Sequence, residues 1–340
     1  MRLVRLAYCN IYVRAHAGKS LQYTRSLATY DESSDVIRLE VMPGSWLLRP
    51  TAGQYYYLYQ PFRLTGWESH PFTLGSWSFD TGPRTSSLLP SEAAKHDQTV
   101  DISHIPLLSD SSRTGYSYSD EVSQGSNQLK LVFWIRPFDG WTRSLRQQCK
   151  GCPDRKLNTT ILMEGPYGDE FPAWKYESIL FVAGGTGIAA VVPYIQDHIA
   201  RSATADGGAT QVQDMHLIWT TRQAAFIRQL ATGELSPALA RSDFDASFYV
   251  TSPGECYNDE RLHSSVHDEV LDKDLEVNIG RPDLQSRIIS HAHDAQLRGC
   301  SSLVLVCGPS TMADQARDAV YRAMRQGYQG IRYVEESFAW

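Results

Sequence analysis

The stretch Leu180-Phe181-Val182-Ala183-Gly184-Gly185-Thr186-Gly187-Ile188 is an apolar strand that empties into a glycine turn and then a helix. Glycines let a backbone approach a pyrophosphate closely, and a helix start offers free N–H groups at the positive end of its dipole. The pattern is neither G-x-G-x-x-G nor a Walker loop, because no Lys-Ser/Thr follows the glycines. Outward from this turn, the second half of the chain alternates two periodicities. Strands are predicted over 178–183, 215–220, 246–251, 302–307 and 331–334, and helices over 186–201, 222–230, 282–297 and 311–325. Such alternation implies a doubly wound parallel sheet with ligands at the carboxyl ends of its strands.

Upstream the text differs. Residues 22–73 are rich in Val, Ile, Tyr, Leu and Thr, are cut by Pro43-Gly44, Pro50 and Gly53, and alternate as in Val36, Arg38 and Glu40. Short antiparallel strands are the expectation. Strands follow at 129–136 and 160–163, with a helix over 141–148 between them. From Asp80 to Gln128, serines are scattered among Asp, Gly and Pro; this segment has too little apolar surface to order itself and is expected to be a disordered insertion.

Composition narrows the function classes. The 340 residues are 42% hydrophobic and 21% charged, an ordinary globular balance, and the net charge of −6 carries no basic excess to hold a phosphate backbone. Nucleic acid is excluded as the main partner. Six cysteines without a leader read as reduced thiols. No apolar stretch reaches the ~20 residues that a bilayer-spanning helix needs. At the N-terminus, Arg2, Arg5 and Arg14 punctuate Leu3, Val4, Leu6, Ile11, Tyr12 and Val13. That pattern suits an ordinary first strand with a frayed end, and it also suits a basic, apolar segment that touches anionic lipid.

Further candidate residues lie at predicted strand ends. Arg222 follows one strand, within reach of an adenosine 2′-phosphate or simply solvated, and Cys307-Gly308-Pro309 places a polarizable thiol and a turn at the same edge, where a structural cysteine is the competing reading. In the first half, His70-Pro71-Phe72-Thr73 ends in a hydroxyl suited to a heterocycle's edge, and Ile135-Arg136-Pro137-Phe138-Asp139-Gly140-Trp141-Thr142 sets an arginine before a helix start, where it suits a phosphate. Cys149 and Cys152 form a CxxC without a second pair at zinc spacing and are expected in a surface loop. His263 with His267 reads as solvated loop, and His291 with His293 as surface, so no metal site is expected. No G-x-S-x-G elbow supports a hydrolase.

Taken in order, these elements resemble the cytosolic dehydrogenase half of the fungal ferric-chelate reductase and NADPH oxidase family, which is built like ferredoxin-NADP reductases. The resemblance spans most of 21–340. It implies an antiparallel β-barrel that binds FAD over 21–172, an α/β domain that binds NADPH over 173–340, and a juxtamembrane-like segment over 1–20. His70, Pro71, Phe72 and Thr73 match the motif for the flavin ring; Arg136, Gly140, Trp141 and Thr142 match the element for the FAD pyrophosphate, with one extra residue between Arg136 and Gly140 than in some members. Gly165 to Gly168 match a GPYG stretch, and Gly184, Gly185, Thr186 and Gly187 the nicotinamide nucleotide turn. Arg222 matches the 2′-phosphate reader, Arg281 a further cofactor contact, Cys307, Gly308 and Pro309 the element near the nicotinamide, and Trp340 the aromatic end that covers the flavin. Thr73, Cys307 and Trp340 are thus the expected catalytic residues.

The implied activity is hydride transfer from NADPH to FAD, then single electrons passed to a haem-bearing transmembrane domain or a ferric chelate, at the cytosolic face of a membrane. Full members carry that haem bundle upstream, and its paired histidines on apolar helices are not found in these residues, so the chain itself is expected to be soluble. The dehydrogenase part of a superoxide-generating NADPH oxidase shares these motifs, and a flavin-binding remnant without turnover is the reading from another class.

Overall fold

Buried residues in the first strands recur at every second position, as a sheet with one wet face requires. The computed structural model describes residues 2–14, 20–45, 47–60, 70–80, 128–203, 210–252 and 275–336. Helix α1 (Arg2–Asn10) leads into the antiparallel pair β1 (Ile11–Arg14) and β2 (Ser20–Tyr23). There follow β3 (Arg25–Asp31), β4 (Val36–Met42), β5 (Tyr55–Tyr59), β6 (His70–Thr73), β7 (Ser76–Asp80), β8 (Gln128–Ile135), α2 (Gly140–Lys150), β9 (Lys156–Thr159) and β10 (Leu162–Tyr167). They form a five-stranded sheet, β7-β8-β4-β3-β9, and a three-stranded sheet, β10-β5-β6. Ile37, Leu39, Tyr56, Leu58, Phe133 and Trp141, drawn from both sheets and α2, share one core. Among the described residues no strand pairing joins the two sheets into a closed barrel.

The second half is β11 (Ser178–Gly184), α3 (Ile188–Ser202), β12 (Asp214–Thr221), α4 (Ala224–Thr232), α5 (Ser236–Leu239), β13 (Phe244–Val250), β14 (Val277–Ile279), α6 (Leu284–Arg298), β15 (Ser302–Cys307), α7 (Ser310–Arg325) and β16 (Ile331–Glu335). All six strands are parallel, in the order β14-β13-β12-β11-β15-β16. Alternate residues of β11 face opposite cores. Leu180 and Val182 meet α6 and α7. Ile179, Phe181 and Ala183 meet α3 to α5, together with Val36, Ala52, Val132 and Trp134 of the first half. The two halves therefore share apolar packing, and Arg38 of β4 pairs with Glu234 of the α4–α5 turn at 2.5 Å across their junction. Of the expected insertion from Asp80 to Gln128, 81–127 lie outside the described residues.

Three expectations need correction. Residues 2–10 are helical rather than a first strand: Leu6, Cys9 and Asn10 turn inward while Val4 and Tyr8, four apart, stay exposed, a helical period. Cys149 is not in a loop but buried on α2, because Trp141, Leu145 and Cys149 recur at the four-residue spacing of its inner face. His291 is buried, because α6 packs through Leu284, Ile288, His291, Ala292 and Ala295. His263 and His267 lie outside the described residues.

His291 carries a pH dependence. Its ring meets that of His216 edge-on at 6.2 Å, and His216 lies 3.4 Å from Asp214 and 3.5 Å from Asp245. Burial, then the charge of His216, holds His291 down from 6.5 to about 4, whereas Asp214 first, then Asp245, raises His216. As pH falls from 6.5 toward about 4, the unfolded chain takes a proton at residue 291 that the folded chain refuses, so stability falls with pH in that window. His216 acts on the alkaline side: its contribution is present below 6.5 and is lost as pH rises through its raised folded value. His291→Leu should flatten the acid limb, by about 2 kcal/mol near pH 5 relative to neutrality. Urea melts of both proteins at the two pH values check it; parallel losses would contradict it.

Candidate functional site

Strand order sets the place. β11 has β12 on one side and β15 on the other, so the chain leaves it in opposite directions and a crevice opens beyond its carboxyl end. Into that crevice β11 delivers Gly184 and a single 3-10 turn, Gly185–Gly187. A Cβ on Gly187 would lie 2.4 Å from the Cys307 carbonyl oxygen, and one on Gly184 would lie 2.6 Å from the Pro309 ring. The glycines thus let the β11 turn pack directly on Cys307-Gly308-Pro309 at the end of β15. From β12, Trp219 Nε1 donates to the Gly185 carbonyl at 3.0 Å and ties the third strand end to the same turn. Arg222, one residue beyond β12, is exposed.

Arg136 reaches this turn from the first half. Its guanidinium lies 4.0 Å from the Cβ position of Gly185 and donates to Gln223 Oε1 at 3.2 Å. Burial, then the charge of Arg222, lowers its pKa, so the two arginines sense one another. Next to Arg136, Asp139 caps α2 by accepting from Gly140 N–H at 2.8 Å, with Gly140 at φ +58°. The Thr142 hydroxyl donates to the Asp139 carbonyl at 2.8 Å and accepts from Phe138 N–H at 3.3 Å. Trp141 is buried, edge-on to Phe72 at 5.6 Å. That contact joins 135–142 to β6, where His70 is exposed and Pro71, Phe72 and Thr73 are half-buried.

Gly165 and Gly168 serve the backbone. A Cβ on Gly165 would meet the Tyr56 ring at 2.5 Å, and one on Gly168, at φ +89°, the Gly53 carbonyl at 2.5 Å. Arg281 is exposed beyond β14, three strand positions from β11 and so about 14 Å along the sheet. Trp340 lies outside the described residues.

Burial first, and the carboxyl of Glu336 second, push the Cys307 thiol up to about 12. Glu336 is itself raised by burial and accepts from the Tyr194 hydroxyl at 3.4 Å. Gln223 and Tyr194 are not singled out by the sequence, and Trp219 stands there only as part of the strand end before Arg222, with nothing to signal its bond to Gly185.

Residues 176–321, the span from just before β11 into α7, match the ferric reductase NAD binding domain family. Over that span the α/β half is similar to the ferric reductase family. The resemblance drawn from the motifs is thereby borne out. A Candida albicans protein named as a probable ferric reductase transmembrane component is 25% identical over 233 residues, covering 62% of this chain and 33% of that protein. The chain spans about a third of the length of such relatives. Two solved structures share the fold of this ferric reductase-like chain. One is a flavohemoglobin from Malassezia yamatoensis with bound FAD and heme, at a TM-score of 0.52 and 16% identity, covering 99% of this chain and 63% of that one. The other is a ferredoxin NADP+ reductase from Neisseria gonorrhoeae with bound FAD and NADP, at 0.50 and 11%, covering 92% and 98%. Both support a β-rich domain followed by an α/β domain. No helix among the described residues is long and apolar enough to cross a membrane.

Proposed function

We propose that the chain is the dehydrogenase part of a ferric-chelate reductase, with 21–172 binding FAD and 173–340 binding NADPH. The observation that carries this reading is the glycine turn locked onto Cys307-Gly308-Pro309 at the switch point of the sheet, with Arg136 brought to it from the other half. The residues present fit both groups. Gly185 leaves open space where the nearest heavy atom to a Cβ is a guanidinium nitrogen. Trp141 Nε1 and Thr220 Oγ1 are buried without a partner among the described residues.

When bound, the nicotinamide nucleotide would supply a hydride and the flavin the means to part an electron pair into single electrons. The protein's residues bind and orient. N–H groups of Gly184, Gly185, Thr186 and Gly187 would hold the nicotinamide nucleotide's pyrophosphate, Arg222 its 2′-phosphate, and Arg281 a more distant part. Cys307, with Gly308 and Pro309, would flank the nicotinamide as a neutral, polarizable thiol, because its raised pKa keeps it protonated near neutrality. His70, Pro71, Phe72 and Thr73 would seat the flavin ring, with the Thr73 hydroxyl bonded to its edge and Trp340 covering it. Arg136, Gly140, Trp141 and Thr142 would hold the FAD pyrophosphate at the start of α2, with Gly165 and Gly168 shaping the opposite wall. The two antiparallel sheets take the part of the barrel in this reading. Electrons would leave to a haem-bearing transmembrane domain or a ferric chelate at the cytosolic face of a membrane.

Arg136→Ala should lower FAD content in purified protein while the far-ultraviolet spectrum stays that of a folded chain; full flavin retention after dialysis would contradict the assignment. The function is tested by loading the chain with FAD, bleaching it anaerobically with NADPH, and reoxidising it with ferric citrate or dioxygen. Bleaching followed by reoxidation by the ferric chelate is expected. Superoxide as the main product would place the chain with the NADPH oxidases, and bound flavin that NADPH cannot bleach would mark a non-catalytic remnant.

A further inference from the structure

Cys149 and Cys152 take no part in the site described above. Cys149 closes the inner stripe of α2 after Trp141 and Leu145 and is fully buried, whereas Cys152, just past the helix, is half-exposed. Both are free thiols. Cys149 Sγ donates to the Ala28 carbonyl at 3.9 Å, and Cys152 Sγ donates to the Gln148 carbonyl at 3.5 Å. No other two cysteines of the chain lie fewer than seven residues apart.

The backbone around the pair is a closed turn fixed to β3. Cys152 N–H donates to the Cys149 carbonyl at 3.0 Å, Arg155 N–H to the Cys152 carbonyl at 3.1 Å, and Tyr30 N–H to the Arg155 carbonyl at 3.0 Å. Glu32 adds ion pairs to Lys150 at 3.2 Å and to Arg155 at 2.5 Å. A turn closed by a hydrogen bond between its first and fourth residues holds their Cα atoms within about 7 Å, and a disulfide spans about 4.4–6.8 Å between Cα atoms. The fold thus keeps the two thiols near bridging separation, one in reach of solvent and one beneath it.

We propose that Cys149 and Cys152 form an oxidation site, a dithiol that hydrogen peroxide converts to an intramolecular disulfide. Cys152 reacts first because it alone of the two meets solvent. Its thiolate displaces hydroxide from the peroxide and becomes a sulfenic acid. Cys149 Sγ then bonds to the Cys152 sulfur, and its proton leaves with the sulfenic hydroxyl as water. Two thiols lose two electrons and two protons, and the peroxide accepts them to become two waters. Burial first, and Cys152 second, push the Cys149 thiol up to about 11, which keeps it protonated and out of the first step. Gly140 and Cys149 are nine positions apart on α2, about 14 Å along a helix, so the dithiol lies away from the proposed flavin site and takes its oxidant from solution. The bridge would replace the Cys149 contact with Ala28 by a covalent clip on the last turn of α2.

The test treats the full chain with hydrogen peroxide at mildly alkaline pH, blocks the remaining thiols with iodoacetamide in denaturant, and maps peptides by mass spectrometry. The segment that holds both cysteines should come out about 2 Da lighter, free of the blocking group, and should regain its thiols with dithiothreitol. Without peroxide, alkylation of the native chain should label Cys152 at least about tenfold faster than Cys149. Cys152→Ser, a change at a half-exposed position, should leave Cys149 reduced under the same peroxide, and an unchanged melting temperature would show that this variant is folded. Both thiols still blocked after peroxide, a bridge from either one to a different cysteine, or undiminished oxidation of Cys149 in Cys152→Ser would each overturn the proposal. None of these readouts depends on FAD or NADPH, so failure of the proposed redox function would leave the dithiol standing, and the reverse.

Discussion

Gly187→Ala should slow NADPH-driven flavin reduction about a hundredfold while leaving FAD bound. The added methyl would sit 2.4 Å from the oxygen and 2.9 Å from the carbon of the Cys307 carbonyl, both backbone atoms with no flexible end to swing aside. The turn and β15 must separate, at a stability cost of about 1–3 kcal/mol. The larger loss is geometric. A shift of about 1 Å between a bound reactant and its partner costs roughly a hundredfold in rate. Gly327→Ala is the control, since nothing lies within 4 Å of its Cβ position and only its φ of +95° is strained. Anaerobic stopped-flow with parallel thermal melts separates the two effects. A near-wild-type rate in Gly187→Ala would mean that the turn does not position the nucleotide.

Arg222→Ala should weaken NADPH about 10- to 100-fold and leave NADH nearly unchanged, the loss of a charge-assisted contact worth roughly 1.5–3 kcal/mol. Only NADPH carries the 2′-phosphate. Because Arg222 is a like charge that depresses Arg136, its removal should not lower FAD content. Titrations with both nucleotides, with flavin content measured on the same samples, decide the matter. Equal losses for the two nucleotides would assign Arg222 to a shared part of the ligand.

The α/β half was legible because its strands are buried on both faces and so read as unbroken apolar runs, such as Ser302–Cys307, while its glycine turn stands directly between a strand and a helix. Chain-distant contacts were not legible. Arg136 meets Gln223 only because β8 and β12 end at the same crevice, and no local pattern in either segment signals the other. The helical N-terminus reads as a strand because six of its nine residues are hydrophobic in two nearly continuous runs, and the Asn10 side chain that anchors it bonds to Met163, far along the chain. His291 looked like a surface residue because Ile288 and Ile289 seemed to fill the core face of α6. Yet Ile288 and His291, three apart, lie on one stripe.

In the proposed function both halves build one site in which hydride passes directly from a nicotinamide nucleotide to a flavin. The most direct test is anaerobic stopped-flow reduction of the FAD-loaded chain by NADPH and by NADPH carrying deuterium on the transferred C4 position. Full loss of the oxidised flavin's visible absorbance is expected, with a clearly slower rate for the deuterated nucleotide. Flavin that stays oxidised while demonstrably bound, together with bound NADPH, would contradict it.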